Sequence, residues 1–349
     1  MDFQTRLNFF VELSKQMKCL LESGGFDFVV EQQSIENKWF TKENCYFALY
    51  AIAKMLDEKS INKFFNKYDS YFRDAQQRKC VNKTVAVISA GNIPCAAFHD
   101  FFCILASGNK YMGKLSKQDS LLLPFIAKLL LKINPKFKNK IVFTNELSQY
   151  DKVIATGSDN SSRYFEYYFK EKPLLLRKNR NSIAILNGNE TKEQLKELSV
   201  DVFQYFGLGC RSVSKIYVPQ NYDFTELIEI FRKSQNKLML HNGYVNNYEY
   251  HRCIYAMNNI PFFDGNSFLL TQNESINSPI SVIYYEEYES VNDILSFLKL
   301  HKNEIQCVVS SLKEISGCIG FGQSQYPSLL DYPDNRDTVL FCNGAGRNF

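Results

Sequence analysis

Several common signatures are absent from this chain of 349 residues. Its ten cysteines include no CxxC pair, and none of its four histidines has the partner spacing of a zinc ligand, so no metal site is predicted. The GxGxxG motif of Rossmann dinucleotide sites and the Walker A motif of P-loop nucleotide sites are both missing. No run reaches the roughly 18 uninterrupted apolar residues that a membrane span needs, so we expect no such span.

Charge and composition narrow the class of protein further. A net charge of +4 is too small to indicate a nucleic-acid partner, while 45% hydrophobic and 22% charged residues are typical of a globular protein. The chain is long for a single core, so two domains are expected. Scattered thiols favour a reducing compartment, and the N-terminal stretch MDFQTRLNFFVELSKQMK lacks the apolar centre of a signal peptide, so we expect a cytoplasmic protein.

Residues 1–80 have a helical pattern that distinguishes them from the rest of the chain. Apolar residues recur at helical spacing between Phe10 and Leu21, and Thr41 is suited to capping a second helix. A third helix is predicted to begin near Ser60. Their apolar faces indicate core packing rather than a ligand surface.

From Thr84 onward, predicted strands alternate with predicted helices. The run Thr84–Ser89 is continuous and rich in β-branched residues, which is typical of a strand buried on both faces of a parallel sheet. This alternation predicts βαβ units and a ligand at the carboxyl ends of the strands. After a stretch rich in glycine and proline, a final strand is predicted at Thr338–Phe341. The other strands are predicted at 110–114, 141–143, 153–155, 174–176, 183–186, 215–218, 267–270, 280–284 and 305–309.

One cysteine lies in a turn that contains two glycines. The stretch Phe206–Ser214, FGLGCRSVS, joins a predicted helix to the strand at 215–218. Because glycine permits tight turning, Cys210 would be presented on a sharp loop, a plausible geometry for a nucleophile. A buried and inert cysteine is the competing interpretation, and this stretch taken alone favours it.

Three turns that follow predicted strands carry polar residues. Asn92 lies in a Gly-Asn-Ile-Pro turn, and Lys114, Ser116 and Lys117 follow the second strand. The triplet Thr156-Gly157-Ser158 opens a helix, whose free N–H groups favour a phosphate. Each turn also has an ordinary explanation, because Gly-Asn pairs, surface lysines and Gly-Ser helix starts are common.

Taken together, the motifs are far more specific than any one of them. They are GNIP at 91–94, GNKYMGKLSKQD at 108–119, ATGS at 155–158, FGLGCRS at 206–212, the region of Pro279, and the tail FGQSQYPSLLDYP at 321–333. In this order the chain resembles the aldehyde dehydrogenase superfamily, and within it the LuxC-type acyl-CoA reductases. The resemblance extends from about Thr84 to Ser311.

The resemblance implies an α/β, aldehyde-dehydrogenase-like fold with two doubly wound parallel-sheet domains and a helical N-terminal region. The domains expected from it are a helical region at 1–80, a dinucleotide-binding domain at 81–207, a catalytic cysteine domain at 208–315 and a C-terminal tail at 316–349.

The resemblance also implies roles for individual residues. Cys210 matches the catalytic cysteine, and Asn92 matches the asparagine that forms an oxyanion hole with the backbone N–H of that cysteine. Lys114 matches the lysine that contacts the adenosine ribose, with Ser116 beside it. The turn Thr156-Gly157-Ser158 matches the one that faces the pyrophosphate.

Two departures from the family pattern indicate the reaction and the cofactor. The general-base glutamate falls near Leu176-Arg177-Lys178-Asn179, where no carboxylate is present, which argues against hydrolysis and for thioester reduction. The acidic residue that commonly follows the ribose lysine is here Lys117, which would attract a 2′-phosphate, so NADPH is the expected cofactor. The nicotinamide-ribose glutamate is assigned to Glu274, although Ser275 occupies the aligned place.

The expected activity is the NADPH-dependent reduction of an acyl-CoA or acyl thioester to the aldehyde, through a thioacyl-Cys210 intermediate. The LuxC resemblance implies a long acyl chain. Two alternatives remain open. One is a CoA-acylating aldehyde dehydrogenase that works in the opposite direction with the same residues. The other is a catalytically weak, acyl-accepting subunit that depends on an acyltransferase or acyl-protein synthetase partner, in keeping with a chain about three quarters of the family's length. A homo-oligomer is compatible with either.

Overall fold

The computed structural model describes residues 1–77 and 82–344. Cys80 and the predicted boundary between residues 80 and 81 lie outside these ranges. Within them, no helix combines the length and the apolar character required to cross a bilayer.

The chain forms two compact units, whose limits differ from the predicted domain boundaries. The first unit comprises Met1–Asn179 and Pro327–Phe349, and the second comprises Arg180–Tyr326. The predicted boundary at 207/208 falls inside the second unit, because the strand Asn181–Ile185 pairs with strands that follow it in the chain. The boundary predicted at 315/316 also falls there, because Ile319 forms a β-bridge with Val309.

The first unit begins with four helices. They are α1 Phe3–Glu22, α2 Asp27–Glu36, α3 Lys42–Met55 and α4 Glu58–Gln77. The predicted cap of α3 is confirmed, since the Thr41 hydroxyl accepts a hydrogen bond from the backbone N–H of Asn44 at 3.2 Å. The ring centroids of Phe10 on α1 and Phe102 are 4.8 Å apart, and both side chains are fully buried. The helices therefore share the core of the sheet that follows, rather than forming a separate region.

The sheet of the first unit has five parallel strands in the order β3-β2-β1-β4-β5. They are β1 Thr84–Ile88, β2 Lys110–Lys114, β3 Ile141–Phe143, β4 Lys152–Thr156 and β5 Leu174–Arg177, and the connecting helices are α5 Phe98–Ala106, α6 Leu122–Ile133 and α7 Asp159–Tyr168. β1 is central and its residues 85–87 are buried, as its continuous apolar run predicts. The strand order reverses beside β1, and in doubly wound sheets ligands bind at such a point.

The sheet of the second unit has six strands in the order β11-β6-β7-β10-β9-β8. They are β6 Asn181–Ile185, β7 Val213–Pro219, β8 Phe263–Asp264, β9 Leu269–Gln272, β10 Val282–Tyr288 and β11 Ile305–Ser310, with helices α8 Lys192–Phe203, α9 Thr225–Ser234, α10 Asn242–Met257 and α11 Val291–Leu300. All neighbours are parallel except the edge pair β8 and β9. The prediction of two parallel-sheet α/β domains with a helical N-terminal region is confirmed.

The C-terminal segment returns to the first unit and ends in a helix, α12 Thr338–Asn343. The strand predicted at Thr338–Phe341 is therefore wrong. The carboxylate of Asp337 accepts a hydrogen bond from the backbone N–H of Leu340 at 3.0 Å and caps the helix. Val339 and Phe341 are buried in the core, so packing and capping outweigh the strand preference of these apolar residues.

Candidate functional site

The turn after β1 carries Asn92 and is packed closely against the turn after β2. A Cβ placed on Gly91 would lie 2.3 Å from the Oγ of Ser116, so only glycine fits without displacing its neighbour. The backbone N–H of Ser116 donates to the Oγ of Ser89 at 3.3 Å, which ties the two turns together. Asn92 itself is exposed at this edge of the sheet.

A cavity of about 450 Å³ opens beside the ends of β1 and β2. Lys114, the predicted ribose lysine, lines it together with Ile88 at the end of β1. Aromatic side chains, including Tyr164 and Phe165 of α7, line it as well, together with the polar Asn145 and Glu146. A cation close to aromatic side chains suits a ligand with an aromatic base and polar hydroxyls. Lys117 lies in the following turn and is exposed.

The triplet Thr156-Gly157-Ser158 joins β4 to α7, as predicted. The Oγ of Ser158 caps α7 by accepting from the backbone N–H of Ser161 at 3.4 Å, and the N–H of Gly157 donates to the carbonyl of Arg177 at 3.1 Å. A Cβ on Gly157 would lie 2.9 Å from Ser161 and Phe165, so the turn is as tight as the backbone permits. The start of a helix favours negative charge, so this turn can receive a phosphate.

A buried carboxylate that the sequence analysis did not identify supports the Asn92 turn. Asp119 is 2% exposed and accepts hydrogen bonds from the backbone N–H groups of Cys95 and Ala96. Its Oδ1 has no hydrogen-bond partner among the described residues. Burial raises the pKa of Asp119 to about 7. Cys95 has a φ of 59°, in the left-handed region, so the carboxylate stabilises an unusual backbone conformation.

Arg177 ends β5 and lies in the stretch Leu176–Asn179, near which the resemblance implies the family's general base. Its guanidinium is 5% exposed and forms a two-pronged ion pair with Asp100 of α5, in which Nη2 donates to Oδ1 at 2.7 Å. Nη2 also donates to the Oγ1 of Thr338 at 3.0 Å. These contacts hold the side chain inside the first unit, and a guanidinium has no proton-accepting atom.

In the second unit, the cysteine loop, Phe206–Ser212, joins α8 to β7. The backbone turns sharply at its start, because Tyr205, Phe206 and Gly207 have φ values of 55°, 59° and 76°. Such a run is costly for residues with a Cβ, which indicates that the surrounding structure imposes it. Cys210 follows this turn and is exposed, so it is not a buried cysteine.

Hydrogen bonds to β6, within the loop and to the segment at Ser324 hold the cysteine loop. The Oγ of Ser182 on β6 donates to the carbonyl of Cys210 at 3.0 Å and accepts from the backbone N–H of Cys307 at 3.2 Å. The N–H of Ser212 donates to the carbonyl of Gly209 at 2.9 Å. Arg211 donates through Nε to the carbonyl of Ser324.

Glu274 is exposed after β9, and its backbone carbonyl accepts from the Nζ of Lys215 at 2.8 Å. Lys215 is fully buried on β7 and forms an ion pair with Glu286 of β10 at 2.5 Å. Burial lowers the pKa of Lys215, and Glu286 partly offsets that effect. A lysine inside an apolar strand was the available signal for this pair, and the sequence analysis missed it.

The structure therefore brings most of the predicted residues to one sheet edge. They lie at or just after the ends of β1, β2 and β4, which are adjacent in the first sheet: Asn92, Lys114, Ser116, Lys117 and Thr156–Ser158. Cys210 and Glu274 belong to the second unit. In the part of the chain that the structure describes, no group of three or more His, Cys, Asp or Glu side chains is placed to hold a metal ion.

Comparison with known proteins assigns the fold. No protein-family model and no curated protein sequence matches the chain. Aldehyde dehydrogenase 21 from Physcomitrella patens, solved with the reaction product succinate, matches with a TM-score of 0.67 at 12% identity, over 98% of this chain and 84% of that one.

Two bacterial structures match in the same way. The indole-3-acetaldehyde dehydrogenase AldA of P. syringae, solved with NAD+ and IAA, has a TM-score of 0.62 at 10% identity, over 91% of this chain and 74% of that one. The aldehyde dehydrogenase KauB from Pseudomonas aeruginosa has a TM-score of 0.61 at 11% identity, over 91% and 73%. The chain therefore has the aldehyde-dehydrogenase-like α/β fold, with its two parallel-sheet domains.

Proposed function

We propose that this protein is an acyl-CoA reductase, which reduces a long-chain acyl thioester to the aldehyde with NADPH. The observation that carries the proposal is an exposed Cys210 on a strained loop, in a fold whose solved representatives include aldehyde dehydrogenases. The LuxC-type motifs of the sequence support the thioester as substrate.

The first unit has features that fit a nicotinamide dinucleotide. The cavity beside Lys114 offers aromatic side chains and a cation, and Gly91 and Gly157 allow their turns to pack tightly against Ser116 and Ser161. Lys114 and Ser116 are proposed to hold the ribose, and the turn at Gly157 and Ser158 the pyrophosphate. Glu274 is proposed to contact the second ribose. When bound, the cofactor supplies the hydride that reduces the acyl carbon.

The chain's own residues carry the covalent chemistry. The thiolate of Cys210 attacks the acyl carbon, the bond from that carbon to the sulfur of CoA breaks, and the released thiolate takes up a proton. Asn92 and the backbone N–H of Cys210 are proposed to stabilise the oxyanion, a contribution of about 3 kcal/mol for each donor. After reduction, the bond to Cys210 breaks, the aldehyde leaves and the thiolate is restored.

The surroundings of Arg177 favour thioester reduction over oxidation to a free acid. Hydrolysis of a thioacyl enzyme needs a base that activates water. At the end of β5 the chain has a guanidinium, which accepts no proton and is locked by Asp100 and Thr338. With a thiol as the leaving group, the reaction proceeds without that base.

Intact-protein mass spectrometry after incubation with a long-chain acyl-CoA tests the nucleophile. We expect an acyl adduct on the wild type that disappears when NADPH is added, and none on Cys210→Ser. Cys253→Ser is the matched control, because Cys253 is also an exposed cysteine of the second unit and should leave the adduct unchanged. An adduct that persists with NADPH would indicate an acyl-accepting subunit that depends on a partner. An adduct on Cys210→Ser would refute the assignment.

The choice of NADPH depends on Lys117. Lys117→Glu should shift the ratio of kcat/KM values from NADPH toward NADH, because a carboxylate repels the 2′-phosphate. Lys128→Glu is the control, since Lys128 is an exposed lysine of α6 and its replacement changes the net charge equally. An unchanged ratio in Lys117→Glu would remove the argument for NADPH.

A further inference from the structure

The segment Phe321–Gln325, here called the clamp segment, belongs to the tail motif and has no role in the reaction described above. It lies against α8, the helix that leads into the cysteine loop. Asp201 of α8 is fully buried, and its carboxylate accepts from the backbone N–H groups of Gly322 at 2.6 Å and Ser324 at 2.9 Å. Gly322 has a φ of 74°, a left-handed conformation that glycine adopts without strain, so the segment can turn sharply there.

The other side of the clamp segment contacts the two residues that follow Cys210. Arg211 donates through Nε to the carbonyl of Ser324, and the side-chain amide of Gln325 donates to the Oγ of Ser212 at 3.3 Å. Both contacts join positions more than one hundred residues apart in the chain. The clamp segment thus connects the buried carboxylate on α8 with the loop that presents the nucleophile.

Asp201 provides a buried carboxylate as the acceptor for the clamp segment. Burial raises the pKa of Asp201, and hydrogen bonds from Ser324 and Gly322 partly offset that effect. A carboxylate with two oxygens can accept two diverging backbone donors at once, which a single amide or hydroxyl oxygen achieves less well. The arrangement fixes both the position and the direction of the clamp segment.

We propose that Asp201 is a positioning residue for Cys210, because it holds the clamp segment against Arg211 and Ser212 and so fixes the direction of the sulfur. This inference rests on the proposed function of Cys210 as the nucleophile. It assigns the tail motif to the nucleophile rather than to the cofactor. Arg211 serves this clamp through its Nε, in addition to any effect of its charge.

The test compares the alkylation rates of two cysteines in the same molecule. Iodoacetamide labels the exposed Cys210 and Cys253, and peptide mass spectrometry gives the rate of each. The reactivity of a thiol depends on the dipoles and charges fixed around it, so Asp201→Ala should lower the ratio of the Cys210 rate to the Cys253 rate by about threefold or more at pH 7. Asp201→Asn keeps one acceptor oxygen and should give an intermediate ratio.

Two further variants keep the test decisive. Gln325→Leu removes the contact to Ser212 and should lower the same ratio. It replaces Asp201→Ala as the test if that variant does not fold. Asp264→Ala is the control, because Asp264 is a carboxylate of the same unit that accepts from Tyr248 and Asn266, and it should leave the ratio unchanged.

The readout needs neither NADPH nor acyl-CoA, so its result is independent of the proposed reaction. A lowered ratio supports the positioning role even if no aldehyde is formed. A folded Asp201→Ala protein that melts at a lower temperature but keeps the wild-type ratio and the wild-type kcat would overturn the inference. If the protein is active, kcat should fall in Asp201→Ala while the KM for NADPH is unchanged.

Discussion

Replacing Asp119 by asparagine should change how the stability of the first unit depends on pH. The wild-type carboxyl group is 2% exposed, accepts two backbone N–H groups, and receives no contribution from a cation among the described residues. Its pKa is raised to about 7 from the value of 3.8 expected in an unfolded chain. Cys45, Cys95 and Tyr111 are ionisable groups that interact with it, and burial raises the pKa of all three, to about 12 for Cys45, so they remain protonated near neutral pH.

The sign of the effect follows from proton binding. Between about pH 4 and pH 7 the folded state keeps a proton on Asp119 that the unfolded state has released, so the free energy of unfolding falls as the pH rises. The difference of about three units between the folded and unfolded pKa values corresponds to about 4 kcal/mol of the free energy of unfolding. This contribution is fully lost above pH 7. Asparagine cannot ionise. The stability difference between Asp119→Asn and the wild type should therefore move in favour of the variant by about 4 kcal/mol between pH 4 and pH 8.

Urea unfolding followed by tryptophan fluorescence measures this difference. Trp39 is the single tryptophan of the sequence and packs against the core of the first unit, so it reports on the unit that contains Asp119. Asp2→Asn is the control, since hydrogen bonds from Thr5 lower the pKa of the exposed Asp2, and that carboxylate is ionised in both states between pH 5 and 8. Parallel stability curves for the wild type and Asp119→Asn across this range would refute the reasoning.

Two further predictions concern the same unit. Asp100→Ala should lower the free energy of unfolding in urea by about 3–5 kcal/mol, because it leaves the buried charge of Arg177 unpaired. The double variant Asp100→Leu/Arg177→Met removes both charges and should lower it less, and equal losses would contradict this account. Gly91→Ala should lower the melting temperature and the NADPH-dependent rate, because its Cβ would lie 2.3 Å from the Oγ of Ser116. The control Gly320→Ala should change neither, because its Cβ would lie 4.0 Å from its nearest neighbour. Similar effects of the two variants would contradict the packing argument.

The sheet architecture was predictable because each central strand is a short apolar run that can be recognised locally in the sequence. The apolar runs at β1 and β4 and the intervening helices indicate a parallel sheet without knowledge of any contact. α2 was missed because Phe26, the residue at its N-cap, has no side chain that can cap the helix. α12 was assigned as a strand because apolar residues such as Val339 and Phe341 are compatible with both structures, and the Asp337 cap decided between them.

The supporting groups of the site were not predictable from local pattern. Asp201 accepts from Ser324, 123 positions away, and Arg177 pairs with Asp100, 77 positions away. An isolated aspartate on a helix has many ordinary explanations, so only the fold identifies its partner. Cys210 and Asn92 were assigned through their motifs, and their pairing in one oxyanion hole stays a prediction.

The two loops that carry the proposed reactive groups share one supporting device. Residues with positive φ lie in or beside each loop, at Cys95 and at Phe206 and Gly207. Asp119 accepts from the backbone N–H groups of Cys95 and Ala96, directly after the Asn92 turn, and Asp201 accepts from Gly322 and Ser324 of the clamp segment, which contacts the cysteine loop. Removing either carboxylate would leave buried donors unpaired, which costs more than the bonds themselves contribute. On this proposal, two aspartates that take no part in the chemistry position the proposed reactive groups, and variants of these aspartates should change reactivity without changing the reactive groups.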